Sequence, residues 1–280
     1  MISFEFEYYK PASIIEATTL FQSLDQAGKD PMYVSGATEL ITLGRVNQLK
    51  SGAIIDLKGI SECFELKMDG TNIILGAAQS LTKIRDAGLF PFLNKAIVEI
   101  ADHTARNKIT LGGNLCANII YRETALPLLL TSSQVVIASR TGLKTRPFIE
   151  MFQGRLILEK GEFLVQVIVP QSELDVPFVS VKKRRQWDVG YPLLTTAAVK
   201  RNGQIHVAFS GLCAFPFRDQ TMEQWLNDHQ LSTEQRIEKA IEQVPAPIVN
   251  DVHGSSEYRT FVLKNTLTDV LNELEGEGHV

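Results

Sequence analysis

Two short stretches decide the fold: Tyr33-Val34-Ser35-Gly36-Ala37-Thr38-Glu39-Leu40 and Arg106-Asn107-Lys108-Ile109-Thr110-Leu111-Gly112-Gly113-Asn114-Leu115. Each is a small-residue turn leading out of an apolar run. Glycine in such a turn permits positive φ and close backbone approach. A turn of this kind can line up consecutive N–H groups as an anion-binding nest. Thr38, Thr110 and Asn114 add side-chain hydrogen-bonding groups. A methyl at Ala37 is accommodated if its φ is negative. Neither turn contains G-x-G-x-x-G or a Walker sequence, so neither points to a Rossmann or P-loop nucleotide site. Taken singly, the first turn reads more readily as an ordinary turn, and the second reads equally well as an ordinary turn or a ligand-binding one.

Working outward, short strands and helices alternate. Ser13 with Glu16 has capping-box spacing and opens a helix that Gly28 closes. Met32-Tyr33-Val34 is a strand, residues 39–49 a helix, and residues 53–57 a buried strand. Residues 72–76 form a strand, and Ser80 caps a helix running to Ala87. Residues 92–101 have helical apolar spacing, and a helix at 124–130 holds Pro127 in its first turn. Residues 134–139 and 163–169 are β-rich. Pro170 to Pro177 reads as a linker. Beyond it, strands at 178–185, 193–200 and 204–209 are expected, the last two joined by Asn202-Gly203, a strong hairpin signal. Helices follow at 221–227, 233–244 and 257–274. This order predicts an α+β chain with a separate α+β domain at its C-terminal end.

The 280 residues are 44% apolar and 21% charged, ample for packed cores and against disorder. A net charge of −4 argues against a general nucleic-acid binder. Cys63, Cys116 and Cys213 are far apart and odd in number, which excludes a disulfide framework and fits a reduced, cytoplasmic chain. The five histidines form no HxH or HxxxH pair, so no metal site is expected. His103 and His206 read as ordinary surface or core residues. The N-terminus has no apolar signal region, and the longest apolar run, Ala125 to Leu130, is too short to span a bilayer.

Together the turns resemble a known family. Residues 33–40, followed by Ile54-Ile55-Asp56-Leu57, resemble the first FAD-pyrophosphate loop of flavin subunits in the xanthine dehydrogenase and carbon monoxide dehydrogenase (molybdenum hydroxylase) family, usually A-G-G-T-D/E-L. Residues 106–115 are similar to that family's R-N-x-x-T-x-G-G-N-L loop. Ile73 to Ala77 matches the strand between them. Asp251-Val252-His253-Gly254-Ser255-Ser256-Glu257-Tyr258-Arg259 resembles its D-x-x-G-S-x-E-Y-R helix entry, and Lys182-Lys183-Arg184-Arg185 its K-x-x-R-R strand.

The resemblance implies a vanillyl-alcohol-oxidase-type flavin fold of two subdomains, 1–57 and 58–173, followed by a C-terminal α+β domain, 174–280, with an antiparallel sheet and helices. It implies FAD held by Ser35, Gly36, Ala37, Thr38, Glu39, Leu40, Thr110, Leu111, Gly112, Gly113 and Asn114. Lys182 would meet the cofactor from the C-terminal domain, unless that stretch is simply a solvated edge strand. Strand alternation would aim Lys182 and Arg184 one way, Lys183 and Arg185 the other. Trp187 or Tyr191 would pack near the flavin ring or in the core. The chain departs from the family where A-x-P-x-x-D is usual: residues 117–123 read Ala-Asn-Ile-Ile-Tyr-Arg-Glu. Glu123 stands in for the acid, with Tyr121 or Arg122 as alternative contacts.

No acid–base triad is expected, because flavin chemistry belongs to the cofactor. The resemblance implies an electron relay within an oxidoreductase complex, xanthine dehydrogenase-like and acting in purine metabolism. Electrons would come from 2Fe–2S clusters on a partner chain, itself served by a molybdopterin subunit, and would leave to NAD+ or another acceptor. The alternatives are a stand-alone FAD oxidoreductase of the same superfamily and a non-enzymatic nucleotide-binding scaffold.

Overall fold

Ala53-Ile54-Ile55-Asp56 is apolar almost throughout because both its faces are covered, as in the middle of a parallel sheet. In the computed structural model, which describes residues 2, 4–185 and 190–276, this strand, β3 (Ala53–Asp56), lies between β1 (Glu7–Tyr9) and β2 (Pro31–Val34), parallel to both. The helix α1 (Ile14–Gln26) starts where the Ser13 hydroxyl accepts from the Glu16 N–H, and buries Ala17, Phe21 and Leu24 at helical spacing. The next helix, α2 (Thr38–Arg45), ends four residues earlier than the apolar pattern predicts. Asn47 has a left-handed φ of 61°, a conformation that terminates helices.

The middle of the chain builds a five-stranded antiparallel sheet in the order β4-β5-β8-β6-β7. Its strands are β4 (Leu66–Asp69), β5 (Asn72–Gly76), β6 (Gln134–Ser139), β7 (Gly142–Pro147) and β8 (Phe163–Pro170). Between them lie α3 (Leu81–Ala87), α4 (Pro91–Val98), α5 (His103–Arg106), α6 (Leu111–Cys116), α7 (Ala125–Leu129) and α8 (Phe148–Met151). The two faces of β6 serve different layers. Val136 and Ala138 pack with α1 and β3, whereas Val135 and Ile137 pack with α3, α4 and α7.

A third sheet, order β12-β11-β10-β9, comprises β9 (Phe178–Lys183), β10 (Leu194–Arg201), β11 (Gln204–Ser210) and β12 (Phe217–Arg218). Asn202 (φ 52°) and Gly203 (φ 78°) join β10 to β11 as the tight hairpin predicted. The apolar run in β10 is explained by burial on both faces. Ala197 and Val199 join the core under α4 and α7. Leu194 and Ala198 join that of α9 (Gln220–Leu226), α10 (Thr233–Ile241) and α11 (Ser256–Gly276). Burying each large aliphatic side chain contributes roughly 1.5–3 kcal/mol. Among the described residues no helix is long and apolar enough to cross a membrane.

Candidate functional site

The two turns meet. The hydroxyls of Ser35 and Thr110 lie 2.6 Å apart, and a Cβ on Gly36 would fall 2.4 Å from the carbonyl oxygen of Lys108. Gly36 is therefore required by backbone-to-backbone contact, not by its own φ. Lys58 donates to the Ser35 carbonyl at 2.8 Å and pairs with Asp56 at 2.9 Å. Tyr8 donates to the same carboxylate at 2.5 Å, which pushes its own hydroxyl up to about 12. Burial alone would raise the Asp56 pKa, but the bonds from Tyr8 and Lys58 outweigh it and hold the group below its ordinary value.

Ala37 departs from the expectation. Its φ is +57°, in the left-handed region, so the methyl is strained where glycine would not be. The turn opens α2, and the backbone N–H groups of residues 36–40 donate to no acceptor among the described residues; the first intrahelical bond runs from Ile41 to Ala37. Five successive free amides at a helix N-terminus form a built cradle for a phosphate.

The second stretch differs from the expected open turn. Residues 111–116 are helical, with Thr110 as the cap: its hydroxyl accepts from the Gly113 N–H at 3.2 Å. The Leu111 and Gly112 amides donate to Gln79 and Ala77 carbonyls at 3.0 and 2.8 Å, and Asn114 N–H to Thr110 at 2.9 Å. The donors of this loop are thus committed inside the protein. Gly112 is small because a Cβ there would strike Ala77 at 2.9 Å. Exposed Gly113 forms the surface beside Ser35 and Thr110. Leu40 and Leu111 point into the core, and Glu39 accepts from the Asn118 N–H at 2.9 and 3.1 Å, tying α2 to the segment after α6.

Glu123 and Lys182 are brought together rather than presented to solvent. They form a buried ion pair at 2.8 Å, and Lys182 also donates to the Glu99 carbonyl at 2.7 Å. Burial raises the Glu123 carboxyl above its ordinary value, with Lys182 opposing. Arg184 donates to the same carbonyl at 2.8 Å, whereas Lys183 and Arg185 reach Asp269 and the Val252 carbonyl, the alternation expected of a strand. Arg218 and Arg201 likewise cap Leu129 and Leu130, so cations of the third sheet hold the C-terminal ends of α4 and α7.

Tyr191 stacks on Tyr121 at 4.5 Å between ring centres, with His253 edge-on at 6.0 Å; Trp187 and Asp188 lie outside the described residues. Buried Arg259 donates to the carbonyls of Leu193 and Gly211 and to Asp251, which explains the spacing of that motif. Sequence reasoning missed Lys58 and Thr124. Only proximity in space reveals them, Thr124 through its hydroxyl bond to Asn114.

The free amides of the first turn, tightly backed by the second, fit a diphosphate. Comparisons with known proteins show the family. Residues 4–172 match the FAD binding domain in molybdopterin dehydrogenase. The chain is 24% identical to the caffeine dehydrogenase subunit beta of Pseudomonas sp. (strain CBB1), over 79% of this chain and 78% of that one. It is 26% identical to the xanthine dehydrogenase FAD-binding subunit of Escherichia coli O157:H7, over 95% and 94%. Its fold superimposes on a chain of carbon monoxide dehydrogenase from Hydrogenophaga pseudoflava with a TM-score of 0.87, at 22% identity, covering 99% of each. The chain belongs to the family of FAD-binding domains of molybdopterin dehydrogenases.

Proposed function

We propose that this chain is the electron-transfer subunit of a cytoplasmic molybdenum hydroxylase of the xanthine dehydrogenase type. It would receive electrons from 2Fe–2S clusters on one partner chain, fed by a molybdopterin subunit on another, and pass them to NAD+ or another acceptor. The observation that carries the reading is the row of unpartnered amides at residues 36–40, locked to the second turn through Ser35 and Thr110. When bound, FAD supplies the switch between one- and two-electron transfer. The protein's own part is to bind and orient it. Residues 36–40 hold the diphosphate, Thr110 and Ser35 fix the spacing of the two turns, and Asn114 adds a side-chain contact. Lys182 and Glu123 set the C-terminal domain against the flavin domain.

Three free, scattered cysteines give no ligand set for an iron–sulfur cluster, which supports placing the clusters on other chains. A purine substrate for the complex is supported by the caffeine and xanthine dehydrogenases among its relatives. Each of the three sheets falls within one of the proposed units 1–57, 58–173 and 174–280.

The test is the absorbance spectrum of the purified chain, with flavin released by acid and identified. One FAD per chain, with an iron–sulfur protein co-purifying, is expected. FAD without such a partner would favour a stand-alone oxidoreductase. No FAD, even after reconstitution with partners, would overturn the reading.

A further inference from the structure

Asn114 is 8% exposed and sits in α6 two residues beyond Gly112. Its Oδ1 accepts a hydrogen bond from the hydroxyl of Thr124 at 2.5 Å. Thr124 is fully buried and directly precedes α7. A carboxamide has an acceptor end and a donor end. With Oδ1 engaged, the Nδ2 end faces away from Thr124, and among the described residues it donates to nothing. The neighbour of Thr124 is Glu123, held in the ion pair with Lys182 of β9.

We infer that Thr124 is a positioning residue for FAD: its hydroxyl fixes the Asn114 carboxamide so that a donor, and not an acceptor, meets an oxygen of the bound cofactor. The inference rests on the FAD reading above. Replacing Thr124 by Val keeps the shape but removes the hydroxyl. The Asn114 Oδ1 then loses its donor, and the carboxamide is no longer held with its Nδ2 end toward the cofactor. Losing one oriented donor in a partly buried site weakens binding by about tenfold. Thr124→Ser keeps the hydroxyl and the acceptor geometry.

The experiment is FAD titration of the full chain, co-expressed with its partners, in wild type, Thr124→Val, Thr124→Ser, Asn114→Ala and the Thr124→Val/Asn114→Ala double variant. Thermal unfolding of each without flavin reports folding separately. The expected result is about tenfold weaker FAD binding in Thr124→Val, near wild-type binding in Thr124→Ser, and no further loss when Thr124→Val is added to Asn114→Ala. Additive losses would overturn the inference, as would unchanged binding in Thr124→Val where Asn114→Ala weakens it. A purely structural role would lower the unfolding temperature of Thr124→Val yet leave the two losses additive. Wild-type chain that takes up no FAD would instead overturn the functional reading itself.

Discussion

The hydroxyls of Ser35 and Thr110 touch at 2.6 Å although 75 residues separate them in the chain. Thr110 serves twice, as partner of Ser35 and as cap of α6. Thr110→Val removes both roles and is expected to cost about 1–2 kcal/mol. Ser35→Ala removes one and should cost less. Denaturant unfolding ranks them, and FAD titration should show the same order. An equal effect of the two would break the link between capping and loop spacing.

Gly36 has no room for a side chain, because the obstacle is the Lys108 carbonyl, part of the backbone. Gly36→Val should separate the turns and abolish FAD retention, while the C-terminal sheet stays folded. Flavin content after gel filtration, read beside the circular dichroism spectrum, checks both halves of the statement.

Ala37 at φ +57° is a site for stabilisation. Glycine relieves the left-handed strain but adds freedom to the unfolded chain, leaving a net gain of about 0.5–1 kcal/mol for Ala37→Gly. A rise in the thermal midpoint is expected; a fall would mean the methyl makes a contact worth more than the strain.

The Glu123–Lys182 pair is buried on both sides. Lys182→Met strands a carboxylate and should cost about 3–5 kcal/mol. The double change Glu123→Leu/Lys182→Met should cost less than that single change, which a double-mutant cycle in denaturant would measure.

Glu223 is buried yet held below its ordinary carboxylate value. Desolvation alone would raise it, but bonds from His206 at 2.7 Å and Arg218 at 2.7 and 3.0 Å outweigh that. A depressed folded pKa contributes stability that is complete above the unfolded value, ordinarily 4.5, and is lost as pH falls through the folded one. Glu223→Gln keeps the shape and one acceptor but loses the charge, and should therefore cost about 2 kcal/mol at neutral pH; the difference should shrink below pH ~4. Parallel unfolding curves at all pH values would contradict this.

How much of this was legible beforehand depends on what each feature rests upon. The Asn202-Gly203 hairpin and the Ser80 cap are local chemistry and read directly. The strands β1 and β7 escaped notice because they are almost wholly exposed and carry no apolar alternation; their partners β3 and β6 dictate them. Gly112-Gly113 looked like a turn because glycine is a poor helix former, yet packing against Ala77 overrides propensity. Lys182 looked like a cofactor contact and is joined to Glu123, a partner 59 residues away that no local pattern reveals.

The β9–β12 sheet, covered on both faces, has a consequence for how this protein can be divided. The family match ends at residue 172, but Ala197, Val199 and Ala208 of the following sheet complete the core that contains Leu126 and Leu128. The sheet is a party wall: each dwelling leans on it, and neither owns it. A chain cut after residue 173 would keep every residue of the two flavin turns and still lay bare the wall side of α4 and α7. Self-association of such a fragment would report a lost neighbour, not a faulty flavin site.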